Sequence, residues 1–136
     1  LRIFSTFGEG LKRQVVYDLY QKAISDSDTL EIFGTGKEER DLCYVKDQVD
    51  RIKILASNTK PYGDIYNIGN GTSVSSYEIA KEILKLTNIK KDITFSNSLR
   101  GFDGYQWRAC TKKFSKVANN PTTEFSVALK NTIDSY

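Results

Sequence analysis

A chain of 136 residues, 39% hydrophobic and 27% charged, has the length of one domain and the composition of an ordinary, slightly polar globular protein. Its net charge of +3 is small and its lysines are scattered rather than blocked, so the electrostatic footprint of a nucleic-acid binder is not indicated. No apolar run reaches the roughly eighteen residues that a membrane-spanning helix needs.

Leu1-Arg2-Ile3-Phe4 reads as a buried strand with no polar lead-in and no initiator methionine, so the sequence is expected to be a piece of a longer protein. Val15, Val16, Leu19 and Ala23 recur at helical spacing and predict a helix over 12–25, ended by Asp26-Ser27-Asp28. Strands follow at 30–33 and 41–45, separated by the glycine-punctuated turn Gly34-Thr35-Gly36. Val49, Ile52, Leu55 and Ala56 mark a helix over 46–57, and Pro61 and Gly63 belong to a surface loop. Ile65 to Ile68 reads as a short strand. Ser75 and Glu78 then have the spacing of a capping box, opening a helix that buries Ile79, Ala80, Ile83 and Leu84 and ends near Thr87-Asn88. A strand over 92–96 precedes a long loop over 97–108, rich in glycine and arginine, of the kind that more often binds something than fills space. A short helix over 111–117 and a final helix over 124–136, with Phe125, Ala128, Leu129 and Ile133 as its apolar face, complete the chain.

Strands and helices therefore alternate, with no repeat, low-complexity tract or linker, and the pattern argues for an α/β class. Histidine is absent, which removes histidine bases and histidine metal ligands. The two cysteines, Cys43 and Cys110, lack metal spacing and are expected as small, buried, reduced side chains in a cytoplasmic protein.

The most informative stretch runs from Phe33 to Asp47. Its two glycines suit a tight reversal that needs positive φ, and the turn delivers Arg40 to the mouth of a strand. A fixed guanidinium there can grip phosphate oxygens with two parallel hydrogen bonds. The stretch resembles the G-x-G-x-x-x-R-D-φ-φ-φ-V-x-D block of nucleotide-sugar epimerases and dehydratases, members of the extended short-chain dehydrogenase/reductase family. The resemblance covers the whole chain in order. Arg2 to Gly10 is similar to the family's R-φ-F-N-x-Y-G-P-G segment, with Ser5 and Glu9 departing from it, and Tyr66 to Gly69 to its Y-N-φ-G strand. Arg100 to Asp103 resembles the R-x-G-D turn, Thr111 to Phe114 the D-x-S-K-φ helix start, and Ile133 to Tyr136 the terminal φ-D-W-Y.

The resemblance implies the C-terminal part of a Rossmann-like fold: a last core strand plus a small mixed α/β substrate-binding lobe. Residues 1–25 would end the dinucleotide-binding domain, interleaved with 26–136 as mainly the substrate lobe. The cofactor, NAD or NADP, would be bound chiefly by a domain upstream of residue 1. The Gly-rich fingerprint and the catalytic tyrosine-lysine pair are expected there too, so the chain alone is expected to bind poorly and catalyse nothing. In the whole protein, expected to be a homodimer, this part would hold the diphosphate of a nucleotide sugar.

The family pattern carries roles to particular residues. Arg40 and Arg100 match its diphosphate arginines. Asp103 either bonds a ribose hydroxyl or braces its loop, and Arg108 either backs Arg100 or lies on the surface. Gln14 and Val15 sit where the family's helix touches the nucleotide, although a glutamine at a helix start is as often merely exposed. Phe33 either faces the base or joins the core. Ile3, Phe4 and Ser5 would line the nicotinamide and sugar end. Trp107 either covers the nucleotide pocket or anchors its loop. Two other readings remain from sequence: a non-catalytic nucleotide-sugar-binding homologue, and an interaction module with no small ligand.

Overall fold

Short parallel strands alternate with helices in a computed structural model that describes residues 1–58, 63–98 and 106–136. In chain order the elements are β1 (Arg2–Ile3), β2 (Thr6–Phe7), α1 (Gln14–Ile24), β3 (Thr29–Ile32), β4 (Glu39–Arg40), β5 (Cys43–Tyr44), α2 (Val45–Asn58), β6 (Asn67–Ile68), β7 (Val74–Ser75), α3 (Ser76–Thr87), β8 (Asp92–Phe95), β9 (Gln106–Trp107) and α4 (Phe125–Ile133). A single 3₁₀ turn, Phe114–Lys116, stands where a short helix was expected. The fold is mixed α/β. Among the described residues no helix is long and apolar enough to cross a membrane.

Three parallel pairs form the frame: β1 with β6, β2 with β5, and β3 with β8. Parallel pairing requires crossovers, and helices supply them. A three-stranded sheet in the order β7-β4-β9 lies beside this frame, with β4 antiparallel to β7 and parallel to β9. Of the strand expected over 41–45 only β5 forms, and β4 is a separate short strand just before it. The chain breaks between them because Asp41 turns its carboxylate inward, where it accepts from the backbone N–H groups of Asn70, Gly71 and Ala109.

The main core gathers Phe7, Leu19, Leu30, Ile32, Ile79 and Leu129 among its members. A smaller cluster joins Leu55, Ile68 and Phe114. Helix α3 forms where its signals predicted. Ser75 accepts from the Glu78 N–H, Glu78 reaches back to the Ser75 N–H, and Asn88 closes the helix at φ 55°. Glu124 caps α4 through the N–H groups of Ser126 and Val127. Helix α1 has no such cap, and its first residue, Gln14, sits at φ 69°, a conformation a side chain resists.

Three expectations need correction. Ile3 is not buried: it and Leu1 are more than half exposed, and among the described residues β1 pairs with β6 alone. Cys110 is also exposed, since Ala109 takes the inward position beside Asp41. The third concerns α2, which does not bury the stripe read from its apolar residues. Val49 is exposed, and the helix turns Asp47, Gln48 and Arg51 inward with Leu55. Hydrogen bonding sets that rotation. Asp47 accepts from the Thr123 amide and hydroxyl, Gln48 donates to the Ile68 carbonyl, and Arg51 donates to Asn70, Asn120, Pro121 and the Cys43 sulfur.

Candidate functional site

The turn over 34–38 is built from the inside. Gly34 and Gly36 sit at φ 90° and 77°, where a Cβ is strained. A Cβ on Gly34 would also meet the Glu38 carboxylate at 2.9 Å, and one on Gly36 would strike the Phe95 ring at 2.3 Å. Glu38 folds back over the turn and accepts from both the amide and the hydroxyl of Thr35. Burial pushes its carboxyl pKa up, but these donors more than offset it and hold the group below the usual carboxylate range. The turn is therefore an anionic knot closed on itself, and it feeds directly into β4.

Within β4, Arg40 is paired in register with Val74 on one side and Trp107 on the other. Its guanidinium lies 5.7 Å from the Trp107 ring centroid, and Nη1 donates to the Glu39 carbonyl at 2.9 Å. The neighbouring Glu39 carboxylate accepts from Ser73 and from Gln106 Nε2.

A cleft of about 760 Å³ opens between α1, β3, β4 and the start of α3. Gln14, Val15, Phe33 and Arg40 all line it, together with Ser5. Four residues separated by up to 26 positions in sequence thus share one wall system. Phe33 is exposed there rather than packed into the core. A second cleft, of about 630 Å³, is lined by Ile3, Phe4 and Ser5 along with the 8–11 segment, Arg13 and Gln14. Ser5 and Gln14 belong to both clefts.

Arg108 stands apart from these linings. It is exposed, and its charge contributes to holding Glu39 below the usual carboxylate range, after the Ser73 and Gln106 hydrogen bonds. Arg100 and Asp103 lie outside the described residues. Trp107 neither lines the larger cleft nor packs into the core: it is exposed, with Arg40 beside it.

Sequence reasoning missed several lining residues, among them Asp18, Lys22, Glu38, Val74 and Ile79. A signal existed for two of them. Asp18 and Lys22 follow Gln14 at steps of four, the spacing of one helix face. It also missed a tyrosine-x-x-x-lysine spacing, Tyr77 to Lys81 on α3. The Tyr77 ring packs 6.2 Å from that of Phe95, and neither Tyr77 nor Lys81 lines the cleft that holds Arg40.

Comparison with known proteins bears on the family and the fold. Residues 1–69, just over half of the 136, match the model of the NAD dependent epimerase/dehydratase family. Over 98% of its length the chain is 25% identical to an uncharacterized UDP-glucose epimerase of Bacillus subtilis strain 168, of which it covers 42%. A dTDP-glucose 4,6-dehydratase of Streptomyces niveus is 22% identical over 99% of the chain, which covers 40% of that protein. Among solved structures, the UDP-glucuronic acid 4-epimerase of Bacillus cereus, in complex with UDP-glucuronic acid and NAD, superposes with a TM-score of 0.82 at 27% identity. That alignment takes in 98% of this chain and 43% of the epimerase. The chain thus spans about two fifths of the length of these relatives. With the glycine turn, the strand pairing and these alignments in agreement, the chain belongs to the NAD dependent epimerase/dehydratase family.

Proposed function

We propose that this chain is the nucleotide-sugar-holding part of an NAD-dependent epimerase of the 4-epimerase type, or of a 4,6-dehydratase. On this reading residues 1–25 end a dinucleotide-binding domain and 26–136 form mainly the substrate lobe. The observation that carries the proposal is the convergence of Arg40, Gln14, Val15 and Phe33 on one cleft of about 760 Å³. Clefts of roughly 300–1,000 Å³ with a few polar groups are the usual form of a small-ligand site.

The division of labour follows from chemistry. Arg40 presents a planar fork of donors that matches phosphate oxygens, and its restraint by Glu39 and Trp107 lowers the entropy lost on binding. Phe33 offers an exposed ring to a base. Gln14, at an uncapped helix start, offers amide donors and acceptors where the two clefts meet. Binding energy gathered at the diphosphate is remote from the reacting carbon and serves to orient the sugar.

The smaller cleft fits the nicotinamide end of NAD in kind: Ile3 and Phe4 give apolar surface and Ser5 a hydroxyl donor, on the wall shared with the substrate cleft. Bound there, NAD would supply the hydride acceptor for oxidation of the sugar at C4. Ser5 and Gln14 would then hold sugar and cofactor on a common wall.

The test is conversion. Incubated with NAD and a panel of UDP-, dTDP-, GDP- and CDP-sugars, the whole protein that contains this chain should invert or oxidise C4 of one member, followed by NMR. Binding without turnover across the panel would contradict the enzymatic half of the proposal and keep the binding half.

A further inference from the structure

We infer that Trp107 is a positioning residue for nucleotide-diphosphate binding, acting through Arg40. The inference rests on the reading of Arg40 as the diphosphate ligand. Trp107 does not line the cleft, so its part in binding would be indirect.

Three observations carry it. First, β4 and β9 pair in parallel with Arg40 and Trp107 as register partners, so the backbone itself sets the two side chains side by side. Second, the guanidinium carbon lies 5.7 Å from the ring centroid, within the range of a cation–π contact, while Nη1 is bound to the Glu39 carbonyl. Third, Trp107 is 56% exposed, an uncommon place for the chain's single tryptophan if its work were packing.

The surroundings give the ring a reason to be there. Arg40 is flanked in sequence by Glu38, Glu39 and Asp41, any of which would draw a long flexible cation away from a ligand. Each of these carboxylates is engaged by other groups: Glu38 by Thr35, Glu39 by Ser73 and Gln106, Asp41 by three backbone amides. A π face adds a restraint of a different kind. It attracts the guanidinium through the ring face and takes none of its N–H donors for itself.

The experiment measures, by calorimetry on the whole protein, the affinity for UDP and for uridine in the wild type, Trp107→Ala and Trp107→Phe. An exposed cation–π contact corresponds to roughly two- to fivefold in a binding constant. UDP should therefore bind Trp107→Ala about two- to fivefold more weakly, with Trp107→Phe recovering most of the loss. Uridine, which has no phosphate for Arg40, should bind all three alike, and the melting temperature should hardly move because the ring is exposed. Unchanged UDP affinity in Trp107→Ala would overturn the inference. So would an equal loss for uridine, which would mean that the ring touches the nucleoside itself. A wild type that holds UDP no better than uridine would instead overturn the reading of Arg40, and this inference with it; the wild-type column separates that failure from the others.

Discussion

The Asp41 carboxylate accepts a hydrogen bond from the backbone N–H of Ala109 at 3.0 Å, a contact that spans 68 positions of sequence. With the Asp41 amide bonded to the Trp107 carbonyl at 2.7 Å, it stitches the 107–109 segment to the end of β4, beside the cleft arginine. The same carboxylate binds the amides of Asn70 and Gly71, so one buried side chain organises two loops at once.

Asp41→Asn keeps the shape but sets an amide N–H₂ against one of these donors. The loss of a hydrogen bond to a charged group puts the cost at about 1.5–3 kcal/mol. Urea denaturation should show it as a lower midpoint with an unchanged slope. An unchanged midpoint would mean that the stitch contributes nothing.

Arg51 is fully buried on α2 and binds Asn70 Oδ1 at 2.8 Å and Asn120 Oδ1 at 2.6 Å, besides the Pro121 carbonyl. Arg51→Met fills most of the volume and removes every donor. Two lost charge-assisted bonds alone predict a destabilisation of about 3 kcal/mol or more. A variant as stable as the wild type in chemical denaturation would show that the network gives back its desolvation cost and no more.

The same helix shows what the sequence could and could not tell. Apolar spacing placed α2 correctly but could not show which face it buries, because Asp47, Gln48 and Arg51 each find partners distant along the chain. Such partners leave no periodic trace. Helix α3, by contrast, was legible to its ends, since its capping box is local chemistry. The two-residue strands β7 and β9 carry too few residues to show alternation, and only tertiary pairing with β4 defines them. In the cleft, Arg40 was readable from its glycine turn, whereas Phe33 and Gln14 were named only through the family pattern, each with a second reading beside it. Glu38 was not, because its place in the wall depends on folding back onto Thr35.

Glu9 provides a pH test. Hydrogen bonds from Lys46 and Tyr44 lower its carboxyl pKa from 4.5 to about 2. A depressed folded-state pKa stabilises fully above the unfolded value and is lost as pH falls through the folded one. Glu9→Gln should therefore be less stable than the wild type at pH 7, and the gap should close between pH 4.5 and about 2. Because Glu9 is largely at the surface, the gap should also shrink with added salt. Thermal melts across that pH range decide it; a gap that stays constant down to pH 2 would contradict the assignment.

The two cysteines should behave oppositely. Burial pushes the Cys43 thiol up to about 11, despite the nearby Arg51, so it stays protonated and enclosed at pH 8. Cys110 is exposed. In this chain, with its two cysteines, a thiol reagent should titrate one sulfhydryl in the native state and both after denaturation. Two fast-reacting thiols in the native state would show that the Cys43–Arg51 neighbourhood is open.

Whether the cleft holds a nucleoside diphosphate is tested most directly by mapping where one binds. In an amide-resolved NMR titration with UDP, shifts should concentrate at Gln14, Val15, Phe33 and Arg40, the residues that converge on the cleft. Arg40→Ala should then weaken UDP binding by roughly ten- to a hundredfold, from the loss of about 1.5–3 kcal/mol of charge-assisted contact. Shifts gathered elsewhere on the surface, or an Arg40→Ala variant that binds UDP as the wild type does, would contradict it.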